Sequence, residues 1–129
     1  MKKEAEIMNE KLLDVVKKIL ESSNKISDVA VYEDEFFFKY EKKNYWSVSY
    51  RRSADVYTVR FYPNYNGTIN NLIGVIDAGP EPDDLVVLAY RHTDFDSEQM
   101  AKQLFRKLYW RLKEMYYNLD QKFDDMLNT

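Results

Sequence analysis

Apolar residues recur at three- and four-residue spacing over about residues 3–21, at Ala5, Met8, Leu12, Val15, Val16 and Ile19. Glu4, Lys11, Lys18 and Glu21 fall away from that stripe, so the spacing predicts an amphipathic helix. Ser22-Ser23-Asn24 ends it. The period then changes to two. Val29–Tyr40 reads as a first strand, carrying Val31, Tyr32, Phe36, Phe37, Phe38 and Tyr40. Glu41-Lys42-Lys43 reads as a three-residue loop. Tyr45–Arg51 places Trp46, Val48 and Tyr50 on one face, and Val56–Tyr62 does the same with Tyr57, Val59 and Phe61.

The register of these strands can be checked. A turn at Ser53-Ala54 pairs Tyr50 with Tyr57, Val48 with Val59 and Trp46 with Phe61, all on one face. The opposite face then pairs Ser49 with Thr58 and Ser47 with Arg60. The first loop pairs Phe38 with Trp46 and Phe36 with Val48. Three strands thus share one apolar face as a meander, with the polar face outward.

Pro63-Asn64-Tyr65-Asn66-Gly67 breaks the sheet. Residues 68–77 carry two readings. Ile69, Leu72, Ile73 and Ile76 fit a short helix capped by Thr68; Leu72–Ile76 fits a buried strand with a bulge at Gly74, and the strand is preferred. Ala78-Gly79-Pro80-Glu81-Pro82 is a connector, and Leu85–Tyr90 is a further strand. The last element is the longest. Asp96 reads as its N-cap, with Gln99 at the third position and Phe95 against Met100 as a hydrophobic staple. Ala101, Leu104, Leu108, Leu112, Met115, Leu119, Phe123 and Met126 then form one stripe. A helix over 97–127 is roughly 45 Å long, whereas a globule of this chain length is about 35 Å across. The helix must break near Asn118, overhang the sheet, or pack on a second subunit. The expected fold is α+β: one domain over residues 1–129, a two-layer sandwich with an N-terminal helix, an antiparallel sheet of four to five strands and a long C-terminal helix, both helices on the apolar sheet face.

Composition narrows the function. The 129 residues include no cysteine, which excludes thiolate metal sites, iron–sulfur clusters and thiol nucleophiles and fits a reducing compartment. The N-terminal stretch lacks an apolar signal-peptide core, and no run is long enough to cross a membrane, so a cytoplasmic protein without membrane contact is expected. Asn66-Gly67-Thr68 matches a glycosylation sequon but reads as a turn. With 19 basic and 22 acidic residues and a net charge of −3, bulk charge does not call for nucleic acid. Aromatic content of 16%, with eleven tyrosines, is the first pointer to an interaction surface.

Candidate chemistry is sparse. His92 is the lone histidine; beside Asp94 and Asp96 it would be the general base of a small hydrolase or part of a metal site, though no second histidine is present for a typical zinc site, against the plainer reading of a surface histidine near a helix cap. Asp77, Glu81, Asp83 and Asp84 flank two prolines; such oxygens can hold calcium or magnesium, but the spacing matches no EF-hand and a solvated loop is the default. Gly67, Gly74 and Gly79 are too scattered for a phosphate cradle, and no cofactor is expected. The last helix has a basic run of Lys102, Arg106, Lys107, Arg111 and Lys113. Arg106, Trp110, Lys113 and Tyr117 share one of its faces, and Trp110 lies off the apolar stripe, where a large aromatic suits a protein contact. The same face is the basis of the nucleic-acid alternative. On the sheet, Lys39, Arg51, Arg60, Glu33 and Glu35 are expected outside, and Tyr45 paired with Tyr62 offers a second recognition patch.

Asp34-Glu35-Phe36-Phe37-Phe38-Lys39-Tyr40-Glu41, followed by Asn44-Tyr45-Trp46, resembles the first hairpin of the YbjN and type III secretion chaperone-like domains. Val59-Arg60-Phe61-Tyr62-Pro63 resembles their third strand, and the likeness spans about residues 5–63. Those domains have a helix of several turns before the next strand, where only residues 66–77 are available here. The resemblance implies a non-enzymatic, often dimeric protein-binding fold. The expected function is a protein-interaction module, chaperone-like or regulatory, that binds a protein partner or a second copy of itself.

Overall fold

The alternation from Trp46 to Phe61 sets the register that forms. In a computed structural model, which describes residues 4–80 and 82–129, β3 (Asn44–Arg51) and β4 (Val56–Phe61) pair Trp46 with Phe61, Val48 with Val59 and Tyr50 with Tyr57. Across the other side of β3, Phe38 opposes Trp46 and Phe36 opposes Val48. The stretch 29–40 departs from the single strand expected. It folds as β1 (Ile26–Tyr32) and β2 (Glu35–Tyr40), joined by a two-residue turn at Glu33-Asp34. Glu33 takes the left-handed conformation there, with φ of 56°. The sheet is an antiparallel five-stranded meander in sequence order, closed by the short edge strand β5 (Leu88–Arg91).

One sheet face carries Phe36, Phe38, Tyr40, Trp46, Val48, Tyr57 and Val59, all buried. Helix α1 (Glu4–Glu21) covers it with Leu12, Leu13, Val16 and Ile19. Helix α3 (Glu98–Tyr117) covers it with Ala101, Phe105, Leu108 and Leu112. Each such side chain taken fully from water contributes roughly 1.5–3 kcal/mol, so this layer is the main core. Met8 and Val15, placed on the stripe of α1 by spacing alone, are exposed. The expected start of this helix at residue 3 and the side chain of Ala5 lie outside the described residues.

The opposite face is not simply solvated. Residues 69–78 are helix, not strand: α2 (Ile69–Ala78) is capped by Thr68, whose hydroxyl accepts the N–H of Asn71 at 3.0 Å. Its Ile69 and Leu72 pack with Phe37, Tyr45 and Tyr62 in a second apolar cluster. The three- and four-residue spacing of the isoleucines wins over the short apolar run because a partner surface exists for it. The expected sandwich of α1 and α3 on the sheet therefore gains a partial third layer.

Of the three outcomes that its length left open, the C-terminal helix takes the break near Asn118. Asn118 adopts the left-handed conformation, φ 52° and ψ 47°, and separates α3 from α4 (Leu119–Leu127). Asparagine tolerates that conformation better than most residues. At the other end, the helix is capped at Ser97, and Asp96 is not the cap. Phe95 is buried against the Phe105 ring, 5.6 Å between centroids, while Met100 is exposed, so the expected staple does not form.

Candidate functional site

Helix α4 has an apolar face that the described residues leave largely uncovered. Leu119, Phe123, Met126 and Leu127 fall within one side of the helix at 100° per residue. No α4 residue is buried; Phe123 is 56% exposed, Met126 68% and Leu127 82%. Met115, Tyr116 and Tyr117 at the end of α3 are also exposed and extend the apolar surface around the elbow. A crevice of about 380 Å³ lies inside the elbow, lined by Met115, Leu119 and Phe123 with Glu114, Asn118 and Asp120. A contiguous exposed apolar surface rimmed by polar residues is the usual mark of a contact site.

The stripe expected along the terminal helix therefore divides. Its first half is core, with Phe105 taking the place assigned to Leu104, which is half-buried. In its second half Met115, Phe123 and Met126 are exposed and Leu119 is half-buried. Their spacing continues that of the buried half, and the mismatch between helix length and globule size is the signal that the globule does not cover all of them.

Trp110 is 45% exposed, as its place off the stripe implied. The Lys113 ammonium lies 4.7 Å over its ring, a cation–π contact. Tyr117 is exposed, and Lys122 of α4 reaches over its ring. Trp110 also lines a second crevice, of about 570 Å³, between α1 and α3, together with Lys17, Leu20, Leu104, Lys107 and Arg111. Arg106 turns instead to a polar crevice with His92, Lys102, Gln103 and Asp55. The four residues share one face of α3, and Trp110 and Arg106 line different crevices.

His92 is a buried structural residue, 3% exposed, and not a surface histidine. Its Nδ1 accepts the backbone N–H of Tyr57 at 3.1 Å, which joins the turn after β5 to the start of β4. Asp94 does not approach it as a dyad partner. The Asp94 carboxylate accepts from the Arg91 backbone N–H and guanidinium, and Asp96 is exposed.

Tyr45 and Tyr62 are paired across β3 and its neighbour as expected, through the Tyr62 N–H and the Tyr45 carbonyl at 3.0 Å. They are not a recognition patch. Tyr45 is 5% exposed and Tyr62 2%, because α2 covers them. The Tyr45 hydroxyl donates to the Gly67 carbonyl at 2.6 Å. Ser47, fully buried, donates to Glu35 and so accepts from the Tyr62 hydroxyl at 2.9 Å. Arg60 closes this network by donating to Glu35 and Ser49, each at 3.1 Å. The charged residues of this face therefore satisfy a half-buried network.

In the acidic loop, Asp77 accepts a hydrogen bond from the Tyr32 hydroxyl, and Glu81 lies outside the described residues. Among the described residues no group of three or more acidic or histidine side chains could hold a metal ion, and no helix is long and apolar enough to cross a membrane. No protein-family model, curated protein or solved structure matches the chain.

Proposed function

We propose that the protein is a non-enzymatic protein-interaction module, chaperone-like or regulatory in kind, whose contact surface is the C-terminal arm formed by the end of α3 and α4. The observation that carries this reading is the uncovered apolar face of α4. Keeping Phe123, Met126 and Leu127 in water forgoes burial worth roughly 1.5–3 kcal/mol per side chain, and a protein partner recovers it. Tyr116, Tyr117 and Trp110 supply the aromatic surface on which contacts concentrate. The likeness of residues 5–63 to the YbjN and secretion-chaperone domains points the same way, as an analogy of fold. The proposed setting is the cytoplasm, in keeping with the cysteine-free composition.

Affinity capture tests the reading. Tagged wild type and a Phe123→Ser, Met126→Ser variant are used to recover proteins from cells that produce the chain. Since α4 buries no residue, the variant retains the fold. The expected result is a protein, a second copy included, held by the wild type and reduced at least roughly tenfold with the variant. Equal recovery of every protein by the two baits contradicts the proposal.

A further inference from the structure

From the charges on the two surfaces, we infer that the occupant of the α1–α3 crevice is helix α4 of a second copy, exchanged reciprocally across a two-fold axis. This rests on the interaction-module reading and names its partner. Helix α3 carries five basic residues against two acidic ones, whereas α4 carries three acidic against one basic. Lys17 and Lys107 line the crevice without an ion pair among the described residues, and Asp120 and Asp124 on α4 are likewise without one. Glu21 and Glu114 are also in the lining, so the bases outnumber the acids three to two once Arg111 is counted. Leu20, Leu104 and Trp110 give the crevice an apolar floor for Phe123 and Met126. The surfaces thus match in both charge and apolarity.

No residue of the chain's own α4 lines that crevice. Only Asn118 separates α3 from α4, and folding one helix back along another takes a loop of about two to five residues. A second copy has no such restriction. Because each copy carries both the acidic helix and the basic crevice, a two-fold pairing satisfies both at once, as a closed isologous dimer requires.

The test exchanges the charges. One variant carries Asp124→Lys and Asp125→Lys, making its α4 basic. The other carries Lys17→Glu and Lys107→Glu, making its crevice acidic. Light scattering is read on the wild type, on each variant alone and on their mixture. The inference expects wild type at twice the 15.5 kDa chain mass, each variant weakened roughly tenfold or more in self-association, and the mixture dimeric, since both exchanged contacts are complementary in the mixed pair. Restoration demands two folded chains, so misfolding cannot imitate it. Where a double variant does not fold, the milder pair Asp124→Lys and Lys107→Glu repeats the measurement. A monomeric wild type, a dimer indifferent to both exchanges, or a mixture that stays monomeric overturns the inference. None of these results touches the underlying reading, which is tested separately by whether Phe123→Ser, Met126→Ser loses captured protein.

Discussion

The backbone N–H of Tyr57 donates to Nδ1 of His92 across 3.1 Å inside the protein. The bond fixes the turn that follows the edge strand β5 against the start of β4, and with it the entry into α3. It also occupies the ring nitrogen that a partner carboxylate would otherwise orient.

His92→Ala removes the acceptor and leaves a buried N–H unpaired. The expected loss is about 1–3 kcal/mol in urea unfolding. His92→Asn restores an acceptor near the same place and is expected to recover part of that loss. An alanine variant as stable as wild type would show that this bond does not hold the turn.

Ser47 links Glu35 on β2 to Tyr62 beyond β4 with a single hydroxyl. Ser47→Ala deletes both bonds in a buried position, for an expected cost of about 1–3 kcal/mol. Tyr62→Phe deletes one of them, at roughly 0.5–1.5 kcal/mol. Denaturant unfolding of both variants checks the order; a Ser47→Ala variant as stable as wild type would mean that the network is not formed.

Tyr32 donates its hydroxyl to Asp77, and the carboxylate acceptor raises the phenol's pKa from 10.0 to about 12. A raised folded-state pKa stabilises the fold below the unfolded value of 10.0, and that contribution is lost as pH rises through about 12. Ultraviolet titration of phenolate should therefore show Tyr32 ionising late. Asp77→Asn is expected to move that step toward 10.0; an unchanged titration would mean the bond is absent in solution.

How legible these features were in the sequence depended on how far their cause lay along the chain. The β3–β4 register and the break near Asn118 follow from local period and from length, and both are present. The Glu33-Asp34 turn was missed because aromatic and β-branched residues continue on both sides of it, and nothing in composition separates one long strand from a tight hairpin. Tyr45 and Tyr62 were placed outside because a sheet with one apolar face ordinarily shows its other face to water. What buries them is α2, whose own identity was undecided between helix and strand. Met115, Phe123 and Met126 had the spacing of core residues and lacked only a surface to meet. Spacing reports which side of a helix is apolar, and the rest of the fold decides whether anything covers it.

The arm's role is tested most directly by placing a photo-activated cross-linking amino acid at position 123, with exposed Lys11 as the control position. Irradiation of cells producing each chain should give a discrete cross-linked protein from position 123 and none from position 11. A position 123 that captures no protein, or no more than position 11 does, would contradict the assignment of the C-terminal arm as an interaction surface.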